Sequence, residues 1–258
     1  MSRQLPDILA LDFDGVVCNG LLEYFATTQR AYQQIWQEEA GDSFAPIFYR
    51  LRPVIETGWE MPILLRALVL GISESKILND FQAIARHIIE KEGLTKQAVV
   101  NQLDGVRDEW IKHDLASWLD LHSFYPGVIE QLGKIINSPI QLYIVTTKEG
   151  RFVRQLLQQH DIDLPATQII GKESKRPKYE TLRILRDRHQ EPGAKIKIAF
   201  VEDRLQALQE VAQQDDLQFV ELYLADWGYN LESDRLTAAQ DGRIKLLSLK
   251  DFQADLIT

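Results

Sequence analysis

The chain has 258 residues, of which 45% are hydrophobic and 26% charged, a composition typical of a soluble globular protein with one large domain or two smaller ones. Its formal charge of −9, from 29 basic and 38 acidic residues, argues against non-specific binding to a nucleic-acid backbone or to an anionic membrane. No apolar run reaches the roughly 18 residues that a membrane span requires. The N-terminal MSRQLPD leads at once into a strand-like run, so no signal peptide is expected. Because Cys18 is the only cysteine, no intrachain disulfide can form, and we expect a cytoplasmic protein.

Runs rich in aliphatic residues predict buried strands, because continuous apolar runs suit parallel strands that are covered on both faces. The runs are DILALDF (7–13), IQLYIVTT (140–147), KIKIAFVED (195–203) and LQFVELYLADW (217–227), with weaker candidates TQIIG (167–171) and RIKLLSL (243–249). Helical patterns separate them at residues 127–136, 150–160, 179–189 and 205–214. This alternation predicts an α/β fold with a doubly wound, Rossmann-like parallel sheet.

Residues 20–124 interrupt the alternation with an almost entirely helical block. Its helical patterns cover residues 21–39, 61–70, 74–92 and 95–113, and no strand-like run lies among them. A block of about 100 residues is too long for a crossover connection between two strands. We therefore predict an α/β core formed by residues 1–19 and 125–258, with residues 20–124 inserted as an all-α domain.

Three of the predicted strands end in polar residues. The first ends in Asp12 and Asp14, the second in Thr146 and Thr147, and the third in Glu202 and Asp203. Ligands of open α/β sheets bind beyond the carboxyl ends of the strands, so these side chains are expected at one edge of the sheet. The basic segment GKESKRPK (171–178) precedes a predicted helix and offers a cation at the same edge.

This set of residue types suits phosphoryl transfer. Burying neighbouring carboxylates is costly unless a cation accompanies them, and Asp12 and Asp203 supply the hard oxygen ligands that Mg²⁺ prefers. Thr146 can form a hydrogen bond with a phosphoryl oxygen, and a lysine can neutralise its charge. An aspartate nucleophile is already ionised at neutral pH and needs no activating base.

The motifs resemble those of the haloacid dehalogenase-like hydrolase superfamily, in its phosphatase branch. DFDGVV (12–17) is similar to the opening DxDG motif, IVTT (144–147) to the strand-then-threonine motif, PKYETL (177–182) to the lysine motif, and FVED (200–203) to the acidic fourth motif. All four occur in the expected order. FYPGVIEQL and ADWGYN also resemble stretches that are common in phosphoglycolate-phosphatase-like members.

The resemblance implies a catalytic pair of aspartates. Asp12 would attack phosphorus and form an aspartyl-phosphate, and Asp14 would act as general acid and then as general base. The helical domain, residues 20–124, would be a cap that closes over the site, excludes water and selects the substrate.

The resemblance also implies a Mg²⁺ site formed by Asp12, the backbone carbonyl of Asp14, and Asp203. Many relatives carry a further acid about four residues after the fourth-motif aspartate, where this chain has Ala207. Glu202 stands where a glycine is common, and we include it among the expected metal ligands because it could compensate. An acid that only neighbours the metal ligands, or a turn residue that faces solvent, is the alternative.

Thr146, Thr147 and Lys178 are the residues expected to bind the phosphoryl group. Lys178 is favoured over Lys175 because Leu182 gives it the spacing of a residue that enters a helix. The alternative assignment to Lys175 stays open at this point.

The sequence therefore predicts a Mg²⁺-dependent phosphatase that acts on a small phosphorylated metabolite, with phosphoglycolate as the first choice and sugar phosphates as the next. A phosphomutase or a phosphonate hydrolase on the same fold is an alternative, and a non-catalytic binding relative is another. Asp14 argues against a dehalogenase, because that reaction does not need the general acid/base of phosphate chemistry. No nucleic-acid or membrane partner is expected, and the oligomeric state is left open.

Overall fold

In a computed structural model, the protein is described over residues 5–190 and 195–254. Residues 1–4 of the N-terminal MSRQLPD, for which no signal peptide is expected, lie outside this part. The strands are β1 Ile8–Leu11, β2 Cys18–Asn19, β3 Ser123–Phe124, β4 Gln141–Val145, β5 Ile169–Ile170, β6 Ile198–Glu202, β7 Glu221–Ala225 and β8 Ile244–Leu247. Within the described ranges, no helix has both the length and the apolar character needed to cross a bilayer.

The helices are α1 Leu21–Trp36, α2 Ala45–Leu51, α3 Glu60–Val69, α4 Glu74–Lys91, α5 Lys96–His113, α6 Leu115–Leu119, α7 Val128–Ile136, α8 Gly150–Gln158, α9 Lys178–His189, α10 Leu205–Ala212, α11 Glu232–Gln240 and α12 Leu249–Ala254. From α7 onward the helices alternate with the strands, whereas α1 to α6 follow one another between β2 and β3.

Six strands form one parallel sheet in the order β5-β4-β1-β6-β7-β8. The central strand β1 pairs with β4 on one side and β6 on the other, with Ile8 opposite both Gln141 and Ile198. The chain adds strands outward from β1 in one direction and then in the other, so the strand order reverses beside β1. This is the doubly wound, Rossmann-like arrangement that the sequence predicts, and its ligand position is the carboxyl edge at that reversal.

The central strand β1 is covered on both faces, which explains why it is continuously apolar. Ile8 and Ala10 belong to a buried cluster that includes Leu182 of α9 and Leu208 of α10. Successive strand residues point to opposite faces, and Leu9 on the other face is also fully buried. On α8, Phe152, Val153, Leu156 and Leu157 recur at helical spacing and are all buried.

The chain divides into two compact units, Met1–Asn19 with Ser123–Thr258, and Gly20–His122. In the second unit, α1 packs against α3 and α5, and α3 packs against α4. Glu23 of α1 is buried there and accepts hydrogen bonds from Arg107 Nε at 2.8 Å and Trp118 Nε1 at 2.9 Å. These donors compensate the cost of burying the carboxylate and join α1 to α5 and α6.

Helix α4 departs from the continuous helix that its sequence pattern predicts. Asp80 has φ −158° and ψ 67°, which breaks the helical backbone, and its Oδ1 accepts a hydrogen bond from Ala83 N at 3.0 Å. Asp80 therefore acts as an internal N-cap for the second segment of α4.

Candidate active site

The carboxyl edge of the sheet brings together polar residues from its three central strands. Asp12 follows β1 directly, and its N–H still donates to Val201 O of β6 at 2.9 Å. Asp203 follows β6, and Thr146 follows β4 with its N–H bonded to Ile170 O at 3.0 Å. The backbone hydrogen bonds between parallel strands thus continue up to the residues that carry the polar side chains. This pairing holds those residues together at the carboxyl edge of the sheet.

Asp12, Glu202 and Asp203 form a buried carboxylate cluster. One oxygen from each lies within 4.8 Å of the others. Burial, and after it the neighbouring Glu202, raise the pKa of Asp12 to about 7, although Lys178 opposes the shift. Burial and the proximity of Asp12 raise the pKa of Asp203 to about 6. Three carboxylates this close cannot all be ionised without a large cost unless a cation lies among them.

Lys178, the first residue of α9, supplies one cation to the cluster. Its Nζ lies 2.9 Å from Asp12 Oδ1 and 2.5 Å from Glu202 Oε2. Burial alone would lower the pKa of Lys178, but the Asp12 and Glu202 carboxylates outweigh it and raise the pKa above its usual value. The side chain is therefore held as the ammonium ion.

Lys175, the alternative phosphate-binding lysine, is exposed and lies in the loop before α9 with φ 49°. Of the two lysines, the structure brings Lys178 to Asp12. The phosphate-binding role itself stays a prediction.

Glu202 is fully buried, and both of its carboxylate oxygens already have partners. Oε2 contacts Lys178 Nζ, and Oε1 accepts a hydrogen bond from Arg204 N at 3.0 Å. Binding a metal through Glu202 would therefore compete with Lys178. The role of Glu202 as a metal ligand stays a prediction, whereas the structure contains its contact with Lys178.

Asp14 lies beside a cation that the sequence reasoning missed. Lys148 Nζ is 3.2 Å from Asp14 Oδ1, and the two side chains are only 10% and 19% exposed. Lys148 follows Thr146 by two residues, in the loop after β4. Its position directly after a predicted strand is the feature of the sequence that could have placed it at this edge of the sheet.

The two predicted threonines differ in environment. Thr146 is buried, and its hydroxyl accepts a hydrogen bond from Lys148 N at 3.2 Å. Thr147 is exposed. The structure therefore places Thr146 within the loop that also carries Lys148, while the side chain of Thr147 is open to solvent.

The donor set fits a small divalent cation. Asp12, Asp203 and Glu202 offer only hard oxygen atoms, which is the chemistry that Mg²⁺ prefers. Asp12 Oδ1 is buried and, among the described residues, has no hydrogen bond of regular geometry although Lys178 Nζ lies 2.9 Å away. A cation between Asp12 and Asp203 would satisfy this oxygen and offset the burial and the carboxylate repulsion that together raise both pKa values.

Comparison with solved structures shows what this architecture is similar to. A protein from Lactobacillus delbrueckii subsp. bulgaricus that is described as a phosphoglycolate phosphatase aligns over 98% of this chain and 99% of its own, with 12% identity and a TM-score of 0.62. A haloacid dehalogenase-like family hydrolase from Streptococcus pneumoniae aligns over 93% of each chain, with 13% identity and a TM-score of 0.56. The protein tyrosine kinase A of Mycobacterium tuberculosis aligns over 99% of this chain and 100% of its own, with 11% identity and a TM-score of 0.59.

No protein-family model matches the sequence, and no curated protein matches it. The structural likeness extends over nearly the whole chain and shows a haloacid dehalogenase-like fold, as the four motifs predict. Neighbours on this fold include a phosphatase and a kinase, so the reaction has to be argued from the site.

Proposed function

We propose that this protein is a Mg²⁺-dependent phosphatase that hydrolyses a small phosphorylated metabolite through an aspartyl-phosphate intermediate. Phosphoglycolate and sugar phosphates are the substrate classes that we favour. The resemblance of FYPGVIEQL and ADWGYN to phosphoglycolate-phosphatase-like stretches supports the first of them.

The contact between Asp12 and Lys178 is the observation that carries the proposal. A buried carboxylate at the switch point of the sheet lies 2.9 Å from the ammonium of a lysine whose side chain is 16% exposed, with the carboxylate of Asp203 beside it. The fold can be built without such a cluster, whose burial is costly. Phosphoryl transfer, in contrast, needs a fixed anionic nucleophile with cations around it.

In the first step, an Asp12 carboxylate oxygen attacks phosphorus, and the bond from phosphorus to the leaving oxygen breaks. Asp14 donates its proton to that oxygen, which leaves as the alcohol. Lys178 neutralises charge on the phosphoryl oxygens, and the Thr146 hydroxyl donates a hydrogen bond to one of them.

In the second step, the Asp14 carboxylate takes a proton from water, whose oxygen attacks phosphorus. The bond between phosphorus and Asp12 breaks, so inorganic phosphate leaves and both aspartates return to their starting states. Asp12, Asp203 and the backbone carbonyl of Asp14 would hold Mg²⁺, which supplies positive charge to the cluster and to the phosphoryl group when it is bound.

Two contacts keep the catalytic groups in position. The Lys148 ammonium restrains the Asp14 carboxylate, and Glu202 restrains the Lys178 ammonium. Fixed side chains reduce the reorganisation that the transition state would otherwise require.

The test is a panel of phosphomonoesters incubated with the purified protein, with Mg²⁺ and with EDTA, while free phosphate is measured. We expect Mg²⁺-dependent release from at least one small metabolite, and loss of that release in Asp12→Asn. Asp163→Asn is the matched control, because Asp163 is exposed and lies outside the cluster.

Product analysis separates a phosphatase from a phosphomutase. A phosphatase releases one phosphate for each substrate consumed, whereas a mutase yields an isomeric phosphate ester. No release across the panel, or full activity in Asp12→Asn, would refute the proposal.

We also propose a cytoplasmic location, on the grounds of the single cysteine, Cys18, which is buried.

A further inference from the structure

We propose that the loop after β7, residues 226–230, is the positioning element for Asp203 and sets the affinity of the metal site. The inference rests on the proposed function, because it assumes that Asp203 binds the metal. β7 is the neighbour of β6 in the sheet, so its loop leaves the same edge directly beside Asp203.

Two hydrogen bonds connect this loop to Asp203. Tyr229 N donates to Asp203 Oδ2 at 2.7 Å, which fixes one oxygen of the carboxylate. Asn230 Nδ2 donates to the Asp203 carbonyl oxygen at 3.1 Å and to Ala225 O at 2.8 Å. The loop therefore holds both the side chain and the backbone of Asp203.

Close packing restricts Asp203 as well. A Cβ added to Gly228 would lie 2.3 Å from Asp203 Cβ and 2.6 Å from Gly15 O, which is far inside contact distance. A Cβ added to Gly15 would lie 2.0 Å from Asp203 Oδ2. Asp203 is thus enclosed between the loop after β1 and the loop after β7. Each loop can come this close to Asp203 only because it has a glycine at the point of contact.

Gly228 is the more informative of the two glycines. Gly15 has φ 88°, a conformation that other residues adopt only with strain. Gly228 does not have a positive φ, so alanine there would be opposed by the Asp203 side chain and the Gly15 carbonyl and not by its own backbone.

The loop is itself braced from two sides. Arg235 Nη1 donates to Asn230 Oδ1 at 2.9 Å and to Asn230 O at 3.0 Å, so the amide is oriented with its NH₂ toward Asp203. Trp227 Nε1 donates to Val16 O at 3.1 Å, in the loop that begins with the catalytic aspartates. These contacts form within the protein itself, without a bound substrate. Together they hold Asp203 near Asp12.

The expected effect is on metal affinity. Residues that orient metal ligands typically change affinity by ~10–100-fold when they are replaced. We therefore expect Gly228→Ala and Asn230→Ala to raise the dissociation constant for Mg²⁺ by about tenfold or more, and Arg235→Met to raise it by a smaller factor. Activity should return toward the wild-type kcat at high Mg²⁺ concentration, because the reacting groups themselves are unchanged.

The experiment measures Mg²⁺ binding to the full chain by isothermal titration calorimetry and Mn²⁺ binding by electron paramagnetic resonance, neither of which depends on turnover. Gly242→Ala is the matched control, because a Cβ at Gly242 meets nothing within 4 Å. Circular dichroism establishes that each variant is folded. Arg235 is only partly buried, so Arg235→Met keeps the test decisive if either other variant fails to fold.

Weaker metal binding in the folded loop variants, with Gly242→Ala unchanged, supports the inference. Dissociation constants within twofold of wild type in every folded loop variant would overturn it, provided that the wild-type protein binds Mg²⁺. A wild-type protein that binds no Mg²⁺ and releases no phosphate would instead overturn the proposed function.

Discussion

Replacing Lys178 with methionine tests the charge balance of the site. The substitution keeps much of the side-chain volume and removes the ammonium that contacts Asp12 at 2.9 Å and Glu202 at 2.5 Å. The two carboxylate side chains are 10% and 1% exposed, so water cannot replace the lost cation. Removing one partner of a buried ion pair typically costs ~3–5 kcal/mol of stability.

For a chain of this size, that loss corresponds to a fall of roughly 10 °C in the unfolding temperature of metal-free protein. Differential scanning calorimetry in EDTA measures it. A second substitution, Glu202→Gln, removes one of the stranded charges, so the double variant should recover at least half of the lost stability. Activity should not recover, because the cation that faces the phosphoryl group is still missing. We expect kcat/KM to fall by about 10²–10³ in both variants.

Lys175→Met is the matched control, because Lys175 is an exposed lysine three residues away. It should leave both the unfolding temperature and kcat/KM near wild type. An unfolding temperature of Lys178→Met within 1 °C of wild type, which corresponds to about 0.3 kcal/mol, would contradict a stabilising role of the Lys178 ammonium. Loss of activity in Lys175→Met together with retained activity in Lys178→Met would contradict the assignment of Lys178 to the site.

Three further predictions concern the neighbouring groups. Asp14→Asn should lower kcat/KM, which reports the steps up to release of the leaving group, by ~10²–10⁴ for alkyl phosphates and by much less for p-nitrophenyl phosphate, whose leaving group needs little protonation; equal losses in kcat/KM would contradict the acid role. Lys148→Met should lower kcat about tenfold or more, since a charge-assisted hydrogen bond to Asp14 contributes ~1.5 kcal/mol; unchanged kcat would show that the contact does not restrain Asp14. Because the pKa values of Asp12 and Asp203 are raised to about 7 and about 6, the folded metal-free protein keeps protons that the unfolded chain releases near pH 4. Its unfolding temperature should therefore fall as the pH rises to 7, and Mg²⁺ should raise it more at pH 8 than at pH 5; an equal effect at both would contradict the clustering.

The strands and the main acids could be predicted because their signals are local. A continuous apolar run has few alternatives to a buried parallel strand, and an acid that directly follows such a run must lie at the sheet edge. Asp12 and Asp203 are of this kind. The preference for Lys178 over Lys175 also came from a local signal, the start of a helix, and the helix does begin at Lys178.

The remaining features depend on contacts between segments that are distant in sequence. Lys148 reaches Asp14 across 134 positions, and nothing in the sequence near either residue specifies that pair. The sequence does not predict the contact between Glu202 and Lys178, because that contact is set by the approach of α9 to β6. The break in α4 was missed since Asp80 fits the helical pattern until its side chain caps Ala83.

The most direct test of the central claim is to trap the covalent intermediate. The enzyme is mixed with substrate and Mg²⁺, quenched in acid and reduced with borohydride, which converts an aspartyl-phosphate to homoserine. Mass spectrometry of the peptide that contains residues 8–17 should then find homoserine at position 12 and unmodified aspartate at position 14. Phosphate release with aspartate unmodified at position 12 throughout the turnover would contradict Asp12 as the nucleophile.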